Sequence, residues 1–221
     1  MASTDHHVYL SIREQIFDGR LAPNSFINVQ SLAELHKVSA LPVREALIRL
    51  AAEDLVEYTK SRGFMTSLIN LSTLADSYEI VYQLFQSSVR SNIASKSVKS
   101  RIDCSPIQHV FENRVVTAKD VEDALELFAS TLMREHFYSC FLRELRRTRP
   151  FRYQTFNLRN DIAETIKYVR SMKGLVLKQD YRSIYRITKS FYEYNSSNLM
   201  DLYQDYVQRQ RKNQVYNDYI S

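Results

Sequence analysis

The sequence predicts a mainly α protein: an N-terminal winged helix-turn-helix followed by an antiparallel all-α helical bundle. Three observations carry this. Helix breakers are scarce, with 3 glycines and 4 prolines among 221 residues, so long helices are expected. From Ser72 onward apolar residues recur at spacings of three and four, the period of a helix with one buried face. Before residue 70, three helical patterns precede two short β-type runs joined at a basic, glycine-containing tip, the element order of a winged helix.

The first helix is predicted over His6–Phe17, with Val8, Ile12 and Ile16 along one face. Asp18-Gly19 ends it, glycine being the residue that most easily takes a left-handed C-terminal cap. Pro23-Asn24 turns the chain into a short segment, Phe26–Val29. Ser31 and Glu34 have capping-box spacing and predict the start of a two-turn helix ending near Lys37. Val38-Ser39 forms the next turn, with Ser39 as N-cap and Pro42 in the first helical turn, where its missing N–H costs little. This helix continues to about Glu53 and buries Val43, Ala46, Leu47 and Leu50. Leu55–Tyr58 and Phe64–Ser67 form the hairpin, with Lys60-Ser61-Arg62-Gly63 at its tip.

Beyond the hairpin, Leu74, Tyr78, Val81, Phe85, Val89 and Ile93 predict one long helix. Val121, Leu125, Phe128 and Leu132 mark another, as do Ile162, Ile166 and Val169. Ile184, Ile187, Phe191 and Tyr194 mark a further one, followed by Leu199, Leu202 and Tyr206. Cys104-Ser105-Pro106, Pro150 and Gly174 punctuate the region, and all three glycines fall where a helix should stop or a turn should bend. Short connections between such helices predict antiparallel packing. The division is expected at 1–70 and 71–221.

Composition excludes several classes. Apolar residues make up 44% of the chain and charged residues 25%, which is ordinary for a globular fold. No apolar run approaches the roughly 20 residues of a membrane span, and Met1–His7 lacks the marks of a secretory leader. Cys104 and Cys140 have no metal-ligand spacing and are expected as core thiols in a reducing cytoplasm. No glycine-rich phosphate loop, His-Glu-x-x-His or Gly-x-Ser-x-Gly occurs, so no enzyme chemistry is expected and no cofactor is assigned. The net charge is +5, yet residues 1–74 carry seven Lys/Arg against eight Asp/Glu. Bulk charge therefore does not single out the N-terminal part; pattern must.

That pattern is a second helix with basic residues at its exposed start. A recognition helix turns its N-terminal residues to base edges and phosphates. Here those are Ser39, Ala40, Leu41, Pro42 and Arg44, with Arg49 further along and Gln30 just ahead of the helix-turn-helix. Arg44 can fork onto guanine O6 and N7 or onto a phosphate, and backbone N–H groups at the helix start can hold a phosphate. Glu45 is expected to face away. Lys60, Ser61, Arg62 and Gly63 place a second basic group at the wing. Taken singly, each basic residue reads as a solvated side chain; as a set at one edge they predict binding to double-stranded DNA.

Ser39-Ala40-Leu41-Pro42-Val43-Arg44-Glu45-Ala46-Leu47, with Ile48-Arg49-Leu50 after it, resembles the recognition-helix signature of the GntR regulators. Ile16–Pro23, Glu53–Glu57 and Arg62-Gly63-Phe64 resemble the family's blocks on either side, in order and spacing. The resemblance covers about residues 8–67 and implies a bacterial, cytoplasmic, nucleoid-associated regulator binding an operator as a homodimer. One position departs: the family usually has a DNA-contacting arginine where this chain has Ala40.

The helical part resembles the C-terminal domain of the FadR subfamily, which dimerises and holds a small effector, often an organic acid, and in many members a metal. The family's Asp-x-x-x-His pair falls on Leu125 and Ala129, its later histidine near Phe191, and an arginine of its first long helix on Val81. These residues cannot ligate, so loss of the metal site is expected. His109 and His136, with Glu112 or Glu135 nearby, are read as ordinary groups rather than ligands. Arg143, Arg146, Arg147, Arg149 and Arg152 read first as a solvated basic face, and second as a site for an acidic effector or for DNA phosphates. The tyrosines, 15 in all, read as amphipathic packing and dimer contacts. Two rivals stay open: a winged-helix adaptor for proteins, and a DNA-binding dimer with no effector.

Overall fold

The computed structural model describes residues 4–94, 107, 116–156 and 162–220. Cys104, Ser105, Pro106, His109 and Glu112, singled out above, lie outside the described residues. The chain is mainly α, as its sequence predicts. Helix α1 (Thr4–Phe17), strand β1 (Phe26–Ile27), helices α2 (Val29–His36) and α3 (Ala40–Ala52), and strands β2 (Val56–Thr59) and β3 (Gly63–Thr66) form the winged helix. Six further helices follow: α4 (Leu71–Ala94), α5 (Ala118–Leu132), α6 (Glu135–Arg147), α7 (Arg149–Thr155), α8 (Ile162–Leu177) and α9 (Tyr181–Ile220). The sheet is antiparallel in the order β1-β3-β2, with Phe26 opposite Met65 and Val56 opposite Thr66.

Two compact units result. One joins Met1–Asn70 with Arg146–Gln154 and Gln204–Ser221; the other joins Leu71–Leu145 with Thr155–Tyr203. In the first unit the apolar faces read from the sequence meet in one core. Val8, Ile12 and Ile16 of α1 are buried with Val43, Ala46, Leu47 and Leu50 of α3, and Leu55, Val56 and Phe64 close it from the hairpin. A polar clamp reinforces the α1–α3 packing. The Tyr9 hydroxyl donates to Glu53 Oε1 at 2.6 Å, and the Arg49 guanidinium lies 3.8 Å from the centre of the Tyr9 ring. Burial and the neighbouring Glu53 carboxylate both push the Tyr9 phenol up.

The start of α2 differs from expectation. The helix begins at Val29, two residues before Ser31, because Asn28 Oδ1 accepts from the amides of Gln30 and Ser31. An asparagine that satisfies two first-turn donors at once outcompetes the Ser31–Glu34 box. Lys37 ends α2 in the left-handed region at φ 55°.

Gly19 ends α1 as predicted, at φ +80°, and has a second role. A Cβ there would lie 3.0 Å from Gln154 Oε1. Gln154 is a clip between segments far apart in the chain. Its Nε2 donates to the Ile16 carbonyl at 3.4 Å, its carbonyl accepts from Arg209 at 3.1 Å, and its Oε1 accepts from Gln210. Tyr153 packs tilted against Phe17, ring centres 5.1 Å apart, and Phe151 meets Tyr206 edge-on.

The second unit is built on Phe85, Val89, Val121, Phe128, Leu132, Phe141, Val169, Met172 and Ile184, among others. Gln86 crosses it to donate to the Tyr185 carbonyl at 3.0 Å. Tyr168 is buried, its phenol pushed up to about 12 by desolvation, and its ring stacks on Phe191 at 3.9 Å and 6°. Four expectations need correction. Gly174 does not stop a helix: it lies inside α8, which runs on to Leu177 and turns at Gln179, φ 53°. The interval from Ile184 to Tyr206 lies within one helix, α9. Cys140 is half-buried, beside rather than in the core. Pro150 begins a helix instead of breaking one, sitting in the first turn of α7, where no hydrogen bond is lost.

Two stability predictions follow from the first unit. Gly19→Ala forces a side chain into the left-handed region against Gln154, whereas a Cβ on Gly63 (φ +83°) meets nothing within 4 Å. Both substitutions carry the left-handed cost of about 1–2 kcal/mol. Chemical denaturation should show the larger loss for Gly19→Ala, with the excess shrinking in the Gly19→Ala, Gln154→Ala double variant. By the same measurement Arg49→Ala should cost about 0.5–1 kcal/mol through its lost contact with Tyr9. Arg44→Ala should change stability by less than about 0.5 kcal/mol.

Candidate nucleic-acid interface

The outward face of α3 follows from its buried one. With Val43, Ala46, Leu47 and Leu50 turned to the core, the 3.6-residue period turns Leu41, Arg44, Glu45 and Ile48 to solvent. All four are exposed. Among the described residues the exposed Arg44 side chain has no ion pair or hydrogen bond and is free to engage a phosphate or a guanine edge. Glu45, expected to face away, lies on this exposed face beside it. Arg49 differs: its side chain is 54% exposed, but its guanidinium is held by Tyr9 and lies 4.0 Å from Glu53 Oε1.

The two helix starts of the helix-turn-helix are also unlike. Asn28 caps α2, so the backbone amide of Gln30 is satisfied while the Gln30 side chain is exposed. Ser39 occupies the N-cap of α3 in extended backbone, φ −75° and ψ 168°, but makes no side-chain cap bond. The amide end of α3 and the exposed Ser39 hydroxyl are therefore left for another acceptor, and an anion suits both. Ala40 and Pro42 are half-buried on either side of exposed Leu41.

The hairpin tip is closed by the Arg62 amide donating to the Thr59 carbonyl at 3.0 Å. Lys60, Ser61 and Arg62 stand exposed, with Gly63 half-buried in the left-handed region after them. Behind the tip, the Tyr58 and Phe64 rings pack tilted at 4.8 Å, linking the two strands. Sequence reasoning left out exposed Lys37 in the turn and exposed Ile48 on α3. Ile48 was findable, since it follows Leu41 by seven residues and so falls on the same line of the helix.

In the helical unit, the positions of the resembled family's metal ligands are apolar and packed. Ala129 is buried in the core, and Leu125, Val81 and Phe191 pack against it. The Phe191 ring is stacked on that of Tyr168. These residues offer no lone pairs in the required positions, so they do not fit a metal. His136 and Glu135 are exposed on α6, and no group of three His, Cys, Asp or Glu suited to a metal occurs among the described residues. The arginine cluster is not a uniform solvated face: Arg143 is exposed, Arg146, Arg147 and Arg152 are half-buried, and Arg149 is buried. Arg149 sits 5.7 Å from the centre of the Phe17 ring, and Arg152 donates to Thr148.

Comparison with known proteins agrees with this geometry. Residues 4–65 match the model for bacterial regulatory proteins of the gntR family. The Nta operon transcriptional regulator of Aminobacter aminovorans is 43% identical over 68 residues, 31% of this chain and 32% of that protein. The HTH-type transcriptional regulator BphR of Paraburkholderia xenovorans is 37% identical over 65 residues, 29% of this chain and 26% of that protein. The match thus spans about a third or less of these relatives. Two solved structures share the fold over nearly the whole chain at low identity. Escherichia coli McbR/YncC covers 93% of this chain and 100% of its own, with TM-score 0.59 and 17% identity. A Rhodococcus sp. RHA1 structure described as a GntR regulator covers 89% and 97%, with TM-score 0.58 and 17% identity. The N-terminal winged helix of this chain is thus similar to that of the gntR family of bacterial regulatory proteins.

Proposed function

We propose that this chain is a transcription regulator that binds a near-palindromic DNA operator as a homodimer, each copy placing α3 in a major groove and its hairpin tip along the adjacent backbone or groove. The observation that carries the reading is the pairing of an uncapped, outward α3 start bearing unpaired Arg44 with an exposed Lys60-Ser61-Arg62 tip. Gln30, Ser39, Ala40, Leu41, Pro42 and Gly63 complete the contact surface. Arg49 acts by holding α3 to α1 and reaches a phosphate only by leaving Tyr9. The helical unit supplies dimerisation and a place for a small effector, whose binding biases the spacing of the two winged helices through unequal affinity for two arrangements. This role is of the FadR type, without its metal. The chain works in the cytoplasm on the nucleoid.

Selection of bound sequences from a random duplex pool should return a two-fold symmetric site. On that site Arg44→Ala should weaken binding by about 1–3 kcal/mol, while Lys60→Ala and Arg62→Ala should each reduce the salt slope by about 1. Affinity insensitive to salt would favour a protein adaptor instead, because phosphate neutralisation makes duplex binding fall steeply with salt. Sedimentation should give the mass of two chains. A thermal-shift screen of organic acids and sugars should find a ligand that raises the melting temperature; silence across it would leave a dimer without an effector.

A further inference from the structure

The outward face of α3 carries two large aliphatic side chains where a soluble surface has no use for them. Leu41 is 64% exposed and Ile48 60%, and seven residues place them on one line of the helix, two turns and about 10 Å apart. Scattered exposed apolar residues are ordinary, but these two flank Arg44 on the face that the family match and the free cation assign to DNA. Ala40 and Pro42 add no hydrogen-bonding side chain next to Leu41. Apart from Ser39, Arg44 and the Glu45 carboxylate beside it, the start of α3 therefore offers base edges only hydrocarbon. The major groove displays one apolar feature, the 5-methyl group of thymine.

We infer that Leu41, backed along the same line by Ile48, reads thymine 5-methyl groups, so that each operator half-site carries thymine beside the base or phosphate engaged by Arg44. The inference rests on the DNA-binding reading above and specifies its sequence preference. An exposed aliphatic side chain closing on a methyl group removes both from water, and a hydroxyl or amide at that position would lose its own hydration without gaining a partner. Specificity then divides between two chemistries: a charged fork at Arg44 and a methyl contact at Leu41.

The test uses the full chain and the operator recovered from the pool. Replacing single thymines by deoxyuridine removes the methyl group and leaves pairing intact. At one or more thymines per half-site, deoxyuridine should weaken binding about fourfold, the worth of one buried methyl. Leu41→Ala should bind thymine and deoxyuridine alike at that position. Arg44→Ala should weaken binding while keeping the thymine preference. A specific operator bound equally well with every thymine replaced would overturn the inference and spare the DNA-binding reading. A chain that binds no duplex would overturn both. If Leu41→Ala or Ile48→Ala instead halves the mass in solution without moving the thymine ratio, the aliphatic line is a self-association face and the inference fails.

Discussion

The winged helix depends on the packing of α1 against α3. Val8, Ile12 and Ile16 bury the same side of α3 that carries Val43, Leu47 and Leu50, and that choice alone decides which residues of α3 remain outside. The Tyr9–Glu53 hydrogen bond and the Arg49–Tyr9 contact fix the rotation of α3 more closely than apolar packing does, since hydrogen bonds are directional and apolar contacts are not. An arginine that looks from its spacing like part of the surface is thus part of the clamp that aims the surface. Arg44, one turn earlier and with nothing to hold it, is the residue left to act.

The exposed start of α3 and the wing were legible in the sequence because both are local. Helical period placed Val43, Ala46, Leu47 and Leu50 inside, and Gly63 marked the hairpin tip. What was not legible depended on distant partners or on competition between local signals. Asn28 took the cap from Ser31 because it reaches two amides. Arg49 was turned inward by Tyr9, forty residues away in sequence. Gly174 read as a stop, yet a helical glycine costs only about 1 kcal/mol, less than the burial of Met172 and Val176 on either side of it.

In the helical unit, Val81, Leu125 and Phe191 pack against the core that holds Ala129. Because all four are apolar or aromatic, the interior closes on itself, with Tyr168 laid flat against Phe191. Gln86 remains as a polar group 2% exposed inside it, with one amide oxygen lacking a donor. A buried acceptor of this kind costs stability until something donates to it.

The Gln154 clip bears on how the molecule is made. Its bond to the Ile16 carbonyl spans 138 positions, and its links to Arg209 and Gln210 reach a further 55 and 56. A ribosome delivers the N-terminal segment long before these partners emerge, and nascent domains begin to fold in the order in which they appear. The nascent winged helix therefore lacks the Tyr153 ring against Phe17 and the Gln154 bond to Ile16 until those later segments have been made. A fragment ending at residue 70 would be left permanently in that unfinished state.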